Sequence, residues 1–155
     1  MNLNLGQPIP HGVNIMDVEI PAAIDRSVKT GIDFVDAIFG GEGMTPSMSC
    51  LFSGEPGAGM TTLMMSLADK LTGAGHICLL NSNEEADVQL RKTARRLGVT
   101  HGFVVGNDRK VTDVIKHLKK LQAQAKGKRA KDGAPVQVCL ILDSLQAHDD
   151  GRYPN

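Results

Sequence analysis

Short apolar runs alternate with amphipathic segments along most of this chain. The apolar runs, which we predict to be strands, are 47–52, 76–81, 102–106 and 136–143. The segments between them carry apolar residues at helical spacing and predict helices at 61–71, 86–98 and 111–125. Strands that are apolar at every position are covered on both faces, which is typical of a parallel sheet between layers of helices. The sequence therefore predicts an α/β fold with a three-layer arrangement, a parallel sheet flanked by helices.

Composition and length predict one folded core. Residues 1–25, rich in Asn, Pro and Gly, are predicted to form an extended N-terminal arm, and residues 26–155 the core. The formal net charge of +0 gives the chain no overall attraction to nucleic acid or to an anionic membrane. No run approaches the roughly 18 apolar residues of a membrane span. Three cysteines inside apolar runs, Cys50, Cys78 and Cys139, are typical of reduced core thiols, so we expect a cytoplasmic protein without membrane contact.

A glycine-rich segment follows the first predicted strand. The segment "GEPGAGMTT" consists of Gly54, Glu55, Pro56, Gly57, Ala58, Gly59, Met60, Thr61 and Thr62. It fits the phosphate-loop pattern G-x-x-x-x-G-K-[ST] except that Met60 stands at the lysine position. Such loops bind nucleotide phosphates through backbone N–H groups, and the Ser/Thr hydroxyl reaches Mg²⁺. The alternative is a tight strand–helix turn without a ligand.

Acidic residues follow two other predicted strands. The run "VCLILDSLQ" ends its strand in Asp143, a carboxylate suited to a magnesium ligand beside the loop, although an aspartate there also caps helices and turns. After "HICLLN", Glu84 and Glu85 reach the same edge of the sheet, where a carboxylate can polarise a water that attacks a terminal phosphate. Their alternative role is to complement the dipole of the next helix.

Four segments in order resemble motifs of the RecA superfamily, and within it most closely the bacterial DNA-repair ATPase family RadA (also called Sms). "KTGIDFVDAIFGG" (29–41) resembles the lead-in S-T-G-I-x-x-L-D-x-x-L-G-G, and "FSGEPGAGMTTL" the loop G-G-x-P-G-x-G-K-S-T-L. "LLNSNEEADVQLRKTARRLGV" resembles Y-V-S-G-E-E-S-x-x-Q-x-x-x-R-A-x-R-L-G, and "LILDSLQ" resembles the Walker B strand V-I-D-S-I-Q. The KaiC family of circadian-clock ATPases shares the lead-in and an E-E segment.

The resemblance implies a set of site residues and ligands. It implies ATP and Mg²⁺ as ligands, Glu84 as catalytic glutamate with Glu85 beside it, and Asp143 as the magnesium-associated aspartate. Gln146 matches the glutamine that follows that aspartate in RadA and in hexameric helicases. It further implies a DNA-dependent ATPase of DNA repair or recombination, a homo-oligomer in the form of a ring or filament, and contact with single-stranded DNA through regions outside this sequence.

The departures from the family pattern leave other functions open. Met60 replaces the catalytic lysine, so we expect impaired turnover, and no zinc-binding cysteine cluster precedes the core. One alternative is a catalytically degenerate scaffold or regulatory subunit. Another is a fragment, or a variant in which methionine was introduced to block turnover. A basic run at 116–131 could contact phosphates, but without interleaved aromatic residues we interpret it as a solvated helix face and loop.

The resemblance also predicts an incomplete sheet. In related folds the strand that follows the Walker B strand lies between it and the phosphate-loop strand. We therefore expect either that this chain is the ordered part of a longer polypeptide, or that 47–52 pairs directly with 136–143. We favour the longer polypeptide, with the RecA-like core of this chain truncated after the Walker B strand.

Overall fold

The computed structural model describes residues 12–148, apart from the side chain of Ala23. The helices are α1 (Ala22–Asp25), α2 (Asp33–Ile38), α3 (Met60–Gly73), α4 (Asp87–Leu97) and α5 (Val111–Ala125). The strands are β1 (Ile77–Ser82), β2 (Val104–Gly106) and β3 (Val138–Asp143). Two short 3-10 helices lie at Ile15–Asp17 and Leu145–Ala147. None of these helices is long and apolar enough to cross a membrane.

The three strands form one parallel sheet in the order β2-β1-β3. β1 pairs with β3 along its whole length, from Ile77 opposite Val138 to Ser82 opposite Asp143. β2 pairs with the second half of β1, which brings the ends of all three strands to one edge. The predicted α/β fold with a parallel sheet is confirmed, and the strands and helices predicted between 61 and 143 are present with small shifts of their ends.

The main hydrophobic core lies between the sheet and the pair α3 and α4. Leu80 of β1 and Ile141 of β3 are paired in register and both belong to this core. From α3 it contains Met65, Leu67, Ala68 and Leu71, and from α4 Leu90 and Ala94. Burying a leucine or methionine side chain stabilises a fold by roughly 1.5–3 kcal/mol, so this cluster fixes α3 on the sheet and the loop before α3 with it.

The other face of the sheet is covered by α5. Leu121 of α5 and Leu79 of β1 line the same cavity on that face, and α5 packs on both β1 and β3. The Lys and Arg residues of the basic run at 116–131 are all exposed, which agrees with a solvated helix face and loop. The layers are therefore helix, sheet and helix.

The predicted strand at 47–52 is wrong. These residues form no strand and do not pair with β3, so the direct pairing that we considered is also wrong. Leu51 is 81% exposed, and Cys50 is exposed rather than a core thiol. An extended segment becomes a strand only when a neighbour takes up its backbone hydrogen bonds, and no described strand lies beside this one. The outer edge of β3 has no neighbouring strand within residues 12–148 either.

The lead-in at 29–41 has a structural role in this chain. Asp36 on α2 accepts hydrogen bonds from the N–H and hydroxyl of Thr30, at 2.8 and 2.7 Å, and from the N–H of Gly31. Burial opposes the ionisation of Asp36, but these bonds outweigh it and hold the pKa of the carboxyl below its usual value. Before it, the described part of the predicted arm, 12–25, carries a 3-10 turn and the single turn α1, and residues 1–11 lie outside the described residues.

Asp69 fixes the end of α3 to the loop that leads into β2. Its carboxylate accepts backbone N–H bonds from His101 at 2.7 Å, Gly102 at 3.0 Å and Thr100 at 3.3 Å. Burial opposes its ionisation, yet these three donors hold the pKa of Asp69 below its ordinary value of 3.8. The unfolded chain therefore binds a proton more readily at this site than the folded chain does.

We expect Asp69→Asn to lower the free energy of unfolding by about 1–3 kcal/mol near neutral pH, because charge-assisted hydrogen bonds weaken. The ionised carboxylate stabilises the fold above the unfolded-state value near 3.8, and this stabilisation is lost as pH falls through the lower folded-state pKa. Urea unfolding of both proteins at neutral and acidic pH measures it, with exposed Glu42→Gln as the control. A difference between Asp69→Asn and the parent chain that persists unchanged in acid would contradict the assignment.

Candidate functional site

The glycine-rich loop turns directly into α3. Gly57 and Gly59 have φ angles of 83° and 87°, in the left-handed region that favours glycine, and Gly59 is the residue before the first residue of α3. No side chain caps this helix end, so its first N–H groups have no side-chain acceptor. Residues 54–59 are exposed. Backbone N–H groups that converge at a helix N-terminus after a left-handed turn form a concave site for an anion.

Met60 lies where the phosphate-loop lysine would stand. A Cβ atom placed on Gly54 would be 3.6 Å from Met60 Cε and 3.7 Å from its Cγ, so the methionine side chain lies back across the loop. Ala58 would be 3.3 Å from the same Cβ atom. The loop therefore has two left-handed glycines before an uncapped helix, and a neutral thioether at the position that is lysine in the phosphate-loop pattern.

Thr61 and Asp143 meet although they are 82 residues apart. The Thr61 hydroxyl donates a hydrogen bond of 3.0 Å to Asp143 Oδ2. Thr61 is the second residue of α3, and Asp143 is the last residue of β3. A hydroxyl and a carboxylate oxygen side by side are ligands of the kind that Mg²⁺ prefers.

The end of β1 holds Asp143 in place from the other side. Ser82 is opposite Asp143 in register, and the N–H of Asn83 donates to the Asp143 carbonyl at 3.2 Å. The Ser82 hydroxyl is buried and has no hydrogen-bond partner among the described residues. The peptide bond between Asp143 and Ser144 is cis. The Asp143 carboxylate at the edge of the sheet thus lies beside the Thr61 hydroxyl at the start of α3.

The predicted acidic and glutamine residues lie at the same edge with different exposure. Glu84 is exposed and Glu85 is half-buried in the bend after β1. They precede α4, which begins at Asp87, so neither lies within the helix. Gln146 is exposed in the 3-10 helix after β3.

Two open cavities lie away from the loop. Their volumes are about 310 and 370 Å³, and both are lined by Val104 of β2 and by Leu121 and Gln124 of α5. Neither cavity is lined by residues 54–62 or by Asp143, although Thr72 of α3 lines the smaller one. These cavities therefore do not mark the Thr61–Asp143 pair, and the loop residues 54–59 are exposed.

Sequence reasoning missed three polar side chains near this edge. Asn81 and Asn83 each form hydrogen bonds with the ring of His148 and with the backbone of Asp108. An asparagine in an otherwise apolar strand, as in "ICLLNS", was a usable signal for a buried polar contact. His148 gave no such signal because it stands in a short polar segment.

Comparison with known proteins gives matches in one group. DNA repair protein RadA of Brucella abortus is 32% identical over 120 residues, which is 77% of this chain and 24% of the relative. RadA of Aquifex aeolicus is 35% identical over 117 residues, 76% of this chain and 23% of the relative. Circadian clock protein KaiC2 of Synechocystis is 33% identical over 72 residues, 46% of this chain and 13% of that protein. Over part of its length, this chain is related to the RadA- and KaiC-like proteins of the RecA superfamily.

The similarity to the RadA- and KaiC-like proteins covers only part of each of those proteins. The chain spans about a quarter or less of the length of these relatives. Neither a protein-family model nor a solved structure matches it significantly. The predicted RecA-superfamily relationship is confirmed, and the three parallel strands flanked by helices agree with part of a RecA-like core.

Proposed function

We propose that this chain is the ATP-binding part of a RecA- or RadA-like protein that acts in DNA repair or recombination. The observation that carries the proposal is the 3.0 Å hydrogen bond between Thr61 and Asp143. It brings the hydroxyl at the start of the loop helix to the carboxylate at the end of β3, which is the pairing that a nucleotide–magnesium site needs. The RadA relatives, named DNA repair proteins, support the biological setting.

Different groups of this chain bind the nucleotide phosphates and the magnesium ion. The backbone N–H groups of the loop and of the start of α3 bind the phosphates, because residues 54–59 are exposed and no side chain caps the helix. Thr61 and Asp143 fit Mg²⁺, since both offer oxygen ligands. Bound Mg²⁺ would neutralise charge on the phosphates.

Hydrolysis requires a carboxylate that orients water. Glu84 is our first choice for this role and Glu85 the second, because both follow β1 at the edge that carries Asp143. We assign the response to the terminal phosphate to Gln146, which lies in the 3-10 helix after β3. Met60 supplies no charge to the transferred phosphoryl group, so turnover in this chain is slow.

A second function is favoured by the Met60 geometry. A neutral side chain lying across the loop is suited to a non-catalytic member of the family that serves as a scaffold or regulatory subunit. The first function uses ATP hydrolysis, whereas the second uses ATP binding alone. In both we propose a homo-oligomer, and contact with single-stranded DNA through regions outside this sequence.

We expect Asp143→Asn to remove most of the magnesium dependence of ATP binding. Adding Mg²⁺ should raise the affinity of the parent chain about ten-fold or more, and that of Asp143→Asn about two-fold at most, because a charged ligand is lost. Titration of a fluorescent ATP analogue with Mg²⁺ and with EDTA measures both. Thr61→Ser keeps a hydroxyl and should behave like the parent, whereas Thr61→Val should resemble Asp143→Asn. Equal magnesium dependence in all four proteins would overturn the proposed site.

A further inference from the structure

A buried asparagine joins the end of β1 to the segment after β2. Asn81 is fully buried, and its Oδ1 accepts the N–H of Asp108 at 3.1 Å while its Nδ2 donates to the Asp108 carbonyl at 2.8 Å. The oxygen and the nitrogen of the Asn81 amide thus both form hydrogen bonds with the backbone of Asp108. This fixes which end of the Asn81 amide is nitrogen, because rotating it by 180° would set donor against donor and acceptor against acceptor.

His148 is held to this asparagine in one protonation state. Its Nδ1 is 2.8 Å from the Ser144 carbonyl, which only accepts, so Nδ1 carries the proton. Its Nε2 is 2.7 Å from Asn81 Nδ2 and 3.2 Å from Asn83 Nδ2, and both of these atoms are donors. Nε2 must therefore be the acceptor, and the ring must be neutral with its proton on Nδ1.

Neither the Asn81 amide nor the Asn83 amide can rotate to accept a proton from a charged His148 ring. Asn83 Nδ2 also donates to the Asp108 carbonyl, at 3.0 Å, so the second amide is oriented by the same acceptor as the first. A proton on Nε2 would point at two amide donors, one of them fully buried. Protonation of His148 thus breaks the contacts of the ring with both asparagines.

Among the described residues, the hydrogen-bond partners of His148 Nε2 include no charged group. The Asp108 carboxylate is paired with His117 Nδ1 of α5 at 2.6 Å, and the Asp143 carboxylate of β3 accepts from Thr61. Glu84 and Glu85 follow Asn83 in the bend after β1. The next residues in the sequence, Asp149 and Asp150, lie outside the described residues.

The His148 ring connects the turn after Asp143 to the end of β1 by hydrogen bonds. It bonds to Ser144, the residue after Asp143, and to the two asparagines at the end of the neighbouring strand.

We propose that His148 is a positioning residue for the Asp143 site, which in its neutral form fixes the turn 144–148 to the ends of β1 and β2 and releases it on protonation. The proposal rests on the proposed function for the part that concerns nucleotide. The consequence is an ATP site whose magnesium-dependent affinity depends on a neutral, hydrogen-bond-accepting side chain at position 148.

The ring and the turn are tested without nucleotide. Nitrogen-15 NMR of the histidine rings in the full chain should show His148 neutral and protonated at Nδ1 near about pH 8. As the NMR signals show the His148 ring gaining its second proton, hydrogen exchange of amides 144–148, corrected for intrinsic rates, should accelerate about ten-fold or more. In His148→Gln the amide oxygen can accept from Asn81 at every pH, so protection should persist in acid. His148→Leu should be unprotected throughout, and the control His117→Gln should keep the parent's pH profile.

The link to the nucleotide is tested by repeating the magnesium-dependent titration at one pH where the NMR signals show a neutral His148 ring and at a lower pH where they show a charged ring. The parent chain should lose about five-fold or more of its affinity in acid, by the loss of one hydrogen-bonded contact, and His148→Gln should not. Identical pH profiles for the two proteins, or a ring protonated at Nε2 near pH 8, would overturn the proposal for His148. Magnesium-independent binding at every pH in the parent would instead overturn the proposed function and the role of His148 toward Asp143, while the exchange data still decide whether the ring holds the turn.

Discussion

Glu84→Gln, introduced into the Met60→Lys chain, is expected to abolish ATP hydrolysis while leaving ATP affinity within about two-fold. Glutamine keeps the size of the side chain but cannot take a proton from water, and a positioned general base contributes about 10²–10⁴-fold to a rate. Glu84 is exposed in the bend after β1, at the edge where Asp143 ends β3, so its loss should leave the core intact. Phosphate release measured under single-turnover conditions gives the rate, and thermal unfolding confirms that the fold is unchanged.

Glu85→Gln is the matched control, because it makes the same change one residue further along. It should keep most of the activity. If Glu85→Gln abolishes hydrolysis and Glu84→Gln does not, the two roles are exchanged. If neither variant matters, the residues serve only the start of α4, and the proposed mechanism is wrong.

Sequence periodicity was enough to predict most of the fold. α3 and β3 have strong local patterns, apolar residues at helical spacing in one and an unbroken apolar run in the other, and both were predicted close to their observed bounds. Parallel strands end at one edge of the sheet, and this rule predicted that the loop helix and Asp143 would meet. The Thr61–Asp143 hydrogen bond agrees with it.

The segment 47–52 shows why local pattern alone can fail. Its apolar run has strand character, but a strand also needs a partner for its N–H and C=O groups, and the partner is a property of the whole sheet. Within the described residues it pairs with no strand, although the outer edge of β3 has no neighbouring strand, and Leu51 and Cys50 are exposed.

The His148 network could not be predicted because it depends on three separated elements. The ring is selected by a carbonyl after β3 and by two amides after β1, and those amides are oriented by Asp108 after β2. No spacing rule links such residues. The same holds for Asp69, whose three N–H donors lie about 30 residues away along the chain.

Met60→Lys is expected to strengthen ATP binding about ten-fold or more in the presence of Mg²⁺, because a hydrogen bond with a charged partner contributes roughly 1.5–3 kcal/mol. The methionine side chain already lies across the loop toward Gly54, so a lysine of similar length can take the same path and reach the phosphates. The two left-handed glycines and the uncapped start of α3 are the same in both proteins. The difference between the two affinities therefore isolates the missing cation.

Calorimetric titration of ATP with Mg²⁺ into the parent chain, Met60→Lys and Met16→Lys tests the central claim that residues 54–62 form a phosphate loop that lacks only its lysine. Met16 is 85% exposed and lies far from the loop in sequence, so Met16→Lys adds the same charge without the same position. We predict weak binding by the parent chain and by Met16→Lys, and binding by Met60→Lys that is stronger about ten-fold or more. Equal affinities for Met60→Lys and Met16→Lys would show that the loop does not hold nucleotide phosphates, and would contradict the account.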